Sequence, residues 1–591
     1  MDHSDSSKPN PGQQRETWSR PSQFVLASIG YAVGMRNLSV FPYIFYQNGG
    51  VAYLIPHFIA MFLLALPMLY LEFSIGQLTQ RGPVQAFTKL CPLLKGVGVG
   101  TVVVSFLLMS YSNTLMSWIL FYLFSSFSPT LPWQSCNNAW NIPETCSVAY
   151  TVNDTGKQSA SSLPFLSSDS GDTTWDPVGN WTAEFGFVNG SLTPSASQQF
   201  FKTRLLQITE GIDEMGSVCW ELLGCLVFAL IIEYICIFKG VKLTGKVVYV
   251  TTLLPYAILF LLLVLTLRLE GAADGLYHFF TPVWHKLTHA HVWVSAFTQS
   301  VYTVGVGMGV MVSMASYNNQ NYNNICRDSF IVTMATCATS LFCGVVVFSA
   351  LGHLAHKSNV DIADVALPGP GLVFVVYPEI LAAMPVPQLW AVLFFLMLFC
   401  LELGRQFSHL ELVGSCVVES LGPKLPPGWR SKDSLLMPVC VASFLVGLPC
   451  VFQGGLYVFL LMDQYTTSSP VPILVVLEIA AICWILGLWR FSDMLSKTLG
   501  KTPNIYFRVC WLVITPLMVL VVLVVGLAWH FPLYYETYKF PYWTRGVGLL
   551  LIAVSIVHVP IGLAHELMST QRPLQESLPP PAGDRVEMEE V

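Results

Sequence analysis

Twelve long apolar stretches run through this sequence of 591 residues, and no other feature limits its fold so strongly. They lie near residues 24–46, 51–79, 97–127, 216–236, 245–268, 292–317, 329–356, 388–418, 435–453, 455–489, 507–530 and 546–568. A bilayer core about 30 Å thick is crossed by about 20 apolar residues of helix, so each stretch is long enough to span it. The balance of residues agrees, with 53% hydrophobic and only 11% charged, where a soluble protein carries about 25% charged. A net charge of −6 gives no reason to expect a nucleic-acid partner. The first 20 residues are polar and hold no apolar core, so they do not read as a cleavable signal. No Walker loop, GxSxG elbow or HExxH helix is present, so no enzyme is expected. The expected class is an all-α polytopic membrane protein embedded in the lipid bilayer.

Charge placement sets the orientation. Of the 29 Lys and Arg residues, 19 fall in the two tails and the loops on their side, and eight fall in the opposite loops. The remaining two, Arg36 and Arg405, lie inside spans. The excess of basic residues on one side predicts that both termini are cytoplasmic. The loop 128–215 is then external, and it carries glycosylation sequons at Asn153, Asn180 and Asn189. It also holds Cys136 and Cys146, which can form a disulfide in an oxidising compartment. The other 13 of the 15 cysteines lie in or beside apolar stretches, where Cys behaves as a small hydrophobe.

Two stretches do not read as continuous helices. The first holds Gly30, Gly34 and Pro42, with Arg36 and Asn37 between them. The sixth reads Thr303-Val304-Gly305-Val306-Gly307-Met308-Gly309. Glycine clusters and Pro weaken helices, and broken backbone at membrane depth is tolerated where it lines a cavity. Close helix packing is the alternative use of these glycines. Interruptions in spans one and six occupy corresponding places in two five-helix halves, a pattern of inverted-repeat transporters with the site at the breaks.

Several motifs resemble the neurotransmitter:sodium symporter family. The opening does so through Arg15-Glu16-Thr17-Trp18, Ile29-Gly30-Tyr31-Ala32-Val33-Gly34, Phe41-Pro42-Tyr43 and Tyr46-Gln47-Asn48-Gly49-Gly50. Further on, the resemblance is carried by Cys136-Asn137-Asn138-Ala139-Trp140-Asn141, Ala315-Ser316-Tyr317-Asn318, Gly369-Pro370-Gly371-Leu372 and Gln453-Gly454-Gly455. It implies twelve helices, with a five-plus-five inverted repeat, broken helices 1 and 6 and two further helices. The transporter domain would then be 21–568, between cytoplasmic tails 1–20 and 569–591, in the plasma membrane. The implied function is secondary transport of a small amino-acid-like solute, coupled to Na+ and Cl−. The alternative is a transport-inactive relative acting as a membrane scaffold or partner subunit.

Carried over position by position, the resemblance places the substrate at Ala32, Gly34, Arg36, Tyr111, Ser112, Tyr302, Gly305 and Met308. Gly34 stands where amine carriers of the family have Asp, which points to an amino-acid-like solute. One sodium position is implied at Ala32, Asn37, Thr303 and Thr336. The other maps to Gly30, Val33, Leu401, Gly404 and Arg405. Chloride maps to Gln299, Thr303 and Ser340, with His57 where the family has Tyr. The cytoplasmic gate is implied at Arg15, Trp18 and Glu419, and the outer gate at Asp463, whose Arg partner position is Val40.

The two intramembrane arginines depart from the family pattern. A hard cation needs converging oxygens, and Arg supplies none, so sodium at the Gly404–Arg405 position conflicts with its electrostatics. Three readings of Arg405 stand at this point. It bonds to the carbonyls of Gly30 and Val33 in the lost sodium position, or it pairs with Glu402 on its own helix face, or it faces lipid. Arg36 either reads an anionic group, since a guanidinium suits a carboxylate, or fills the cavity. Glu72 and Glu411 read as structural carboxylates bonded to neighbours. The C-terminal Glu587-Met588-Glu589-Glu590-Val591 suits a PDZ domain.

Overall fold

The computed structural model describes residues 17–146, 194–238, 240–362, 371–426, 432–528, 533–535 and 538–569. The chain is built from membrane-length helices. The first span is a pair, α1 (Pro21–Ala32) and α2 (Met35–Gln47), bent by 48° at the break. Four continuous spans follow: α3 (Gly50–Thr79), α4 (Pro92–Ser125), α5 (Trp220–Ile237) and α6 (Thr244–Thr266). The sixth span is again in two pieces, α7 (Ala290–Val304) and α8 (Val310–Ala315). Then come α9 (Ile325–Ser358), α10 (Pro387–Lys424) and α11 (Lys432–Val451). The last three are α12 (Gly455–Ile485), α13 (Ile505–Val525) and α14 (Tyr542–Ser569). Among the described residues ten helices are long and apolar enough to cross a membrane, or eleven with the bent pair α1–α2 counted as one span; α7 and α8 lie in the sixth stretch expected from the sequence.

The helices sort by what they bury. The central helix α4 packs along α10 and also meets α5, α11, α12 and α14. Its large side chains Tyr111, Trp118 and Tyr122 are almost fully buried. At the rim, Phe260 on α6, Leu517 and Val524 on α13, and Leu549 and Leu550 on α14 point outward. Such apolar outward faces suit a chain solvated by lipid. Outside the spans, Cys136 and Cys146 form a disulfide with the sulfurs 2.04 Å apart. Arg15, the sequons at Asn153, Asn180 and Asn189, and the C-terminal tail lie outside the described residues.

The break in the sixth span comes from the three glycines. Gly305, Gly307 and Gly309 have φ of 73°, 78° and 73°, a left-handed region that costs other L-residues about 1–2 kcal/mol each. The backbone groups freed there find side-chain partners. Glu72 Oε1 accepts from the Gly307 N–H at 2.5 Å. Ser105 Oγ donates to the Met308 carbonyl at 2.7 Å, and Tyr31 Oη donates to the Gly305 carbonyl at 3.3 Å. Glu72 thus has the structural role expected of it.

Candidate binding site between two broken helices

A cavity of about 40 Å³ lies between the two breaks. That is room for a few waters at about 10–15 Å³ each, and an amino acid would need the walls to move apart. Its floor comes from α2 through Met35 and Arg36 and from the break between α7 and α8 through Met308. One wall is α4, which presents Leu108, Tyr111, Ser112 and Leu115 at helical spacing. Glu402 and Arg405 enter from α10, and Phe459, Asp463 and Thr467 from α12. Tyr302 closes the site: its hydroxyl donates to the Thr467 carbonyl at 2.9 Å, and the Arg36 guanidinium lies over its ring at 5.5 Å.

Of the expected substrate positions, the structure brings Arg36, Tyr111, Ser112, Tyr302 and Met308 to this cavity. Ala32, Gly34 and Gly305 lie at the breaks but do not line it. Asp463, the implied outer-gate acid, lines the cavity. It is only 5% exposed, and Tyr111 Oη donates to its Oδ1 at 2.7 Å. Val40 in the partner position is fully buried and apolar. Sequence reasoning missed Phe459 and Thr467, although they flank Asp463 at four-residue intervals on one helix face. It also took Glu402 only as a partner for Arg405, not as a wall of the cavity.

Arg405 fits none of its three expected readings fully. It does not face lipid, since it lines the cavity and presses on the break of the first span. A Cβ added to Gly34 would stand 3.2 Å from Arg405 Nη1 and 3.5 Å from its Cδ. Among the described residues it makes no ion pair with Glu402 and no hydrogen bond to the Gly30 or Val33 carbonyl, and its Nε is buried without a partner. Glu402 instead accepts from Gln406 Nε2 at 3.5 Å. The two acids and two arginines of the cavity therefore balance in charge, while each acid is held by a neutral donor.

The implied ion positions differ in how well their residues suit an ion. At Gly404, an added Cβ would be 3.5 Å from the Gly30 carbonyl oxygen, so α10 approaches α1 there without offering a side-chain oxygen. With Arg405 beside it, this donor set does not fit sodium. At the other position, Thr303 Oγ1 is buried without a partner and Asn37 donates to Ser340 Oγ at 2.9 Å. Thr336 is turned to its own helix, donating to the Val332 carbonyl at 2.8 Å. Gln299 Nε2 and both ring nitrogens of His57 are also buried without partners, a set of potential donors that suits an anion.

Trp18 Nε1 donates to the Met314 carbonyl at 3.0 Å, and its backbone N–H to the Tyr317 carbonyl at 2.9 Å. Tyr317 Oη donates to Glu411 Oε1 at 2.7 Å, and Lys432 Nζ lies 2.8 Å from both oxygens of that carboxylate. Glu411 is thus a bonded structural carboxylate, as expected. The Glu419 carboxylate accepts from the Gly82 N–H at 3.2 Å.

A helical bundle with two spans opened halfway across and a charged cavity between the openings has the architecture of a secondary transporter. Residues 15–570 match the sodium:neurotransmitter symporter family, and the chain belongs to it. It is 38% identical over 560 residues to the sodium- and chloride-dependent GABA transporter ine of Drosophila melanogaster, covering 93% of this chain and 55% of that protein. It is 36% identical over 572 residues to the sodium-dependent dopamine transporter of Bos taurus, covering 96% of this chain and 77% of that one. It is 38% identical over 549 residues to the sodium- and chloride-dependent glycine transporter 2 of Xenopus laevis, covering 93% and 68%. The chain thus spans little more than half the length of the first of these relatives. The family is one of transporters, not enzymes.

Proposed function

We propose that the protein is a secondary transporter of a small amino-acid-like solute, which binds in the cavity between the breaks of spans one and six. The observation that carries this reading is the gathering of Arg36, Tyr111, Ser112, Tyr302 and Met308 around one cavity. Gly34 leaves no acid at the position that would pair with a cationic amine, which favours an amino acid such as glycine or GABA over dopamine. Asn37 and Thr303 would hold sodium and Gln299, Thr303 and Ser340 chloride, supported by the unpartnered Thr303 Oγ1 and Gln299 Nε2. The charge asymmetry supports cytoplasmic termini in a plasma-membrane protein, with sugar on the external loop at Asn153, Asn180 and Asn189. Val591 would serve a PDZ partner.

A second reading rests on the small, arginine-lined cavity: a transport-inactive relative serving as scaffold or partner subunit. Uptake into reconstituted vesicles separates the two. Glycine, GABA, dopamine and a mixed amino-acid panel are offered under inward sodium and chloride gradients. Accumulation of an amino acid but not dopamine is the expected result. Dopamine uptake would overturn the substrate assignment, and no flux of any solute would favour the inactive relative.

A further inference from the structure

The half-helix α1 ends inside the bundle, with Val33 and Gly34 in extended backbone after it. The last four carbonyls of a helix have no partner within it, and its C-terminus carries about half a negative charge. In lipid this end needs a positive charge or donors. The neighbouring elements offer few. Thr251 and Thr252 on α6 turn their hydroxyls to the Val247 and Leu26 carbonyls, at 3.3 Å each. Gly404 on α10 comes close to the Gly30 carbonyl but has no side chain. His409, one turn beyond Arg405, stacks edge-on against Tyr31 at 5.3 Å. The charge that reaches the end of α1 is the guanidinium of Arg405, packed on Gly34.

We infer that Arg405 is a tethered cation, taking the place of a bound metal ion between the first and eighth spans and holding α1 against α10 without sodium. Three observations converge on this. The guanidinium lies beside the residue that follows the α1 C-cap, where a cation is favoured. The acids Glu402 and Asp463 line the same cavity as its side chain. Its position disfavours a second cation, because like charges a few ångströms apart in a poorly screened interior repel strongly. An intramembrane Arg is costly unless it faces a partner or cavity, and this one faces both a helix end and a cavity. The relatives named above are sodium-dependent by name. In this chain the 1–8 contact would have lost that dependence, so any coupling left to sodium runs through Asn37 and Thr303.

Equilibrium binding of radioactive sodium to the purified full chain tests this without requiring flux, so it can fail or succeed independently of the transport reading. The wild type is expected to bind at most one sodium per chain. The double variant Gly404→Ser with Arg405→Ser restores two hydroxyls and removes the tethered charge. It is expected to bind one sodium more, to melt several degrees lower in choline chloride, and to recover most of that loss in sodium chloride. Arg405→Lys, which keeps the charge, is expected to melt equally in both salts at the wild-type stoichiometry. Two sodium ions bound by the wild type overturn the inference even if the double variant does not fold. A double variant that folds and binds no additional sodium overturns it too.

Discussion

The break in the first span passes through extended backbone, φ −96° at Val33 and −114° at Gly34, which any residue can adopt. The break in the sixth span passes through three glycines held in the left-handed region. Their partners differ in kind as well. The sixth span's freed groups are matched one to one by Glu72, Ser105 and Tyr31. The end of α1 faces a charged side chain, Arg405, that reaches across from another helix. One opening is fixed by backbone geometry and short hydrogen bonds; the other is held by a long-range charge at the tip of a flexible chain. Steric and hydrogen-bond changes should therefore be costly at span six and cheap at span one, whereas charge changes should show the reverse.

The largest expected effect follows from adding one methyl group to Gly307. Its φ is +78°, and the new Cβ would lie 2.3 Å from Val475 Cγ2. The left-handed cost of about 1–2 kcal/mol adds to an overpacking cost of about 1–3 kcal/mol. Gly307→Ala is therefore expected to lose about 2–5 kcal/mol, enough to abolish a monodisperse peak in fluorescence size-exclusion chromatography. A wild-type peak and melting curve would show that the glycines are not what fixes this break.

This contrast also marks how far the sequence could be read. The sixth-span break was legible because glycine spacing is a local signal: Gly305, Gly307 and Gly309 weaken a helix whatever packs against it. The spans were legible because lipid demands apolar runs of set length. Glu72 and Glu411 were legible as bonded carboxylates, although not their partners Gly307 and Tyr317, which lie 235 and 94 residues away. Arg405 was the hardest case. Spacing along α10 pointed to Glu402, while the resemblance pointed to the Gly30 and Val33 carbonyls; the side chain packs beside the latter, on Gly34, without the expected hydrogen bonds. Helix periodicity reports neighbours on one helix and is silent about what faces it across the bundle. The same limit hid the burial of Asp463, whose partner Tyr111 comes from a different helix.

An intermediate effect is expected at Glu72. Replacing it by Leu leaves the buried Gly307 N–H without an acceptor, a loss of about 1–3 kcal/mol. Glu72→Gln keeps a carbonyl oxygen at the same reach and should lose less than about 1 kcal/mol. Melting temperatures of the two variants in one detergent make the comparison. Equal losses would mean that the negative charge, rather than the hydrogen bond, supports the sixth-span break, and the distinction between the two openings would weaken.

The smallest effect belongs to Gly34→Ala. The backbone there needs no glycine, so the unfolded chain loses conformational freedom that the native state does not use, which favours folding by about 0.4–1 kcal/mol. Against this, the new methyl group would stand 3.2 Å from Arg405 Nη1, tighter than ordinary contact. The atom in the way is the tip of a four-bond side chain facing a cavity with room for a few waters, so a small rotation relieves it. The two terms nearly cancel, and the melting temperature should move by no more than a degree or two in either direction. Gly34 and Gly307 each carry the same change of one methyl group, at equivalent breaks in the two halves. A loss at Gly34 as large as that at Gly307 would mean that Arg405 is locked in place rather than tethered, and that the first-span break is as rigidly specified as the sixth.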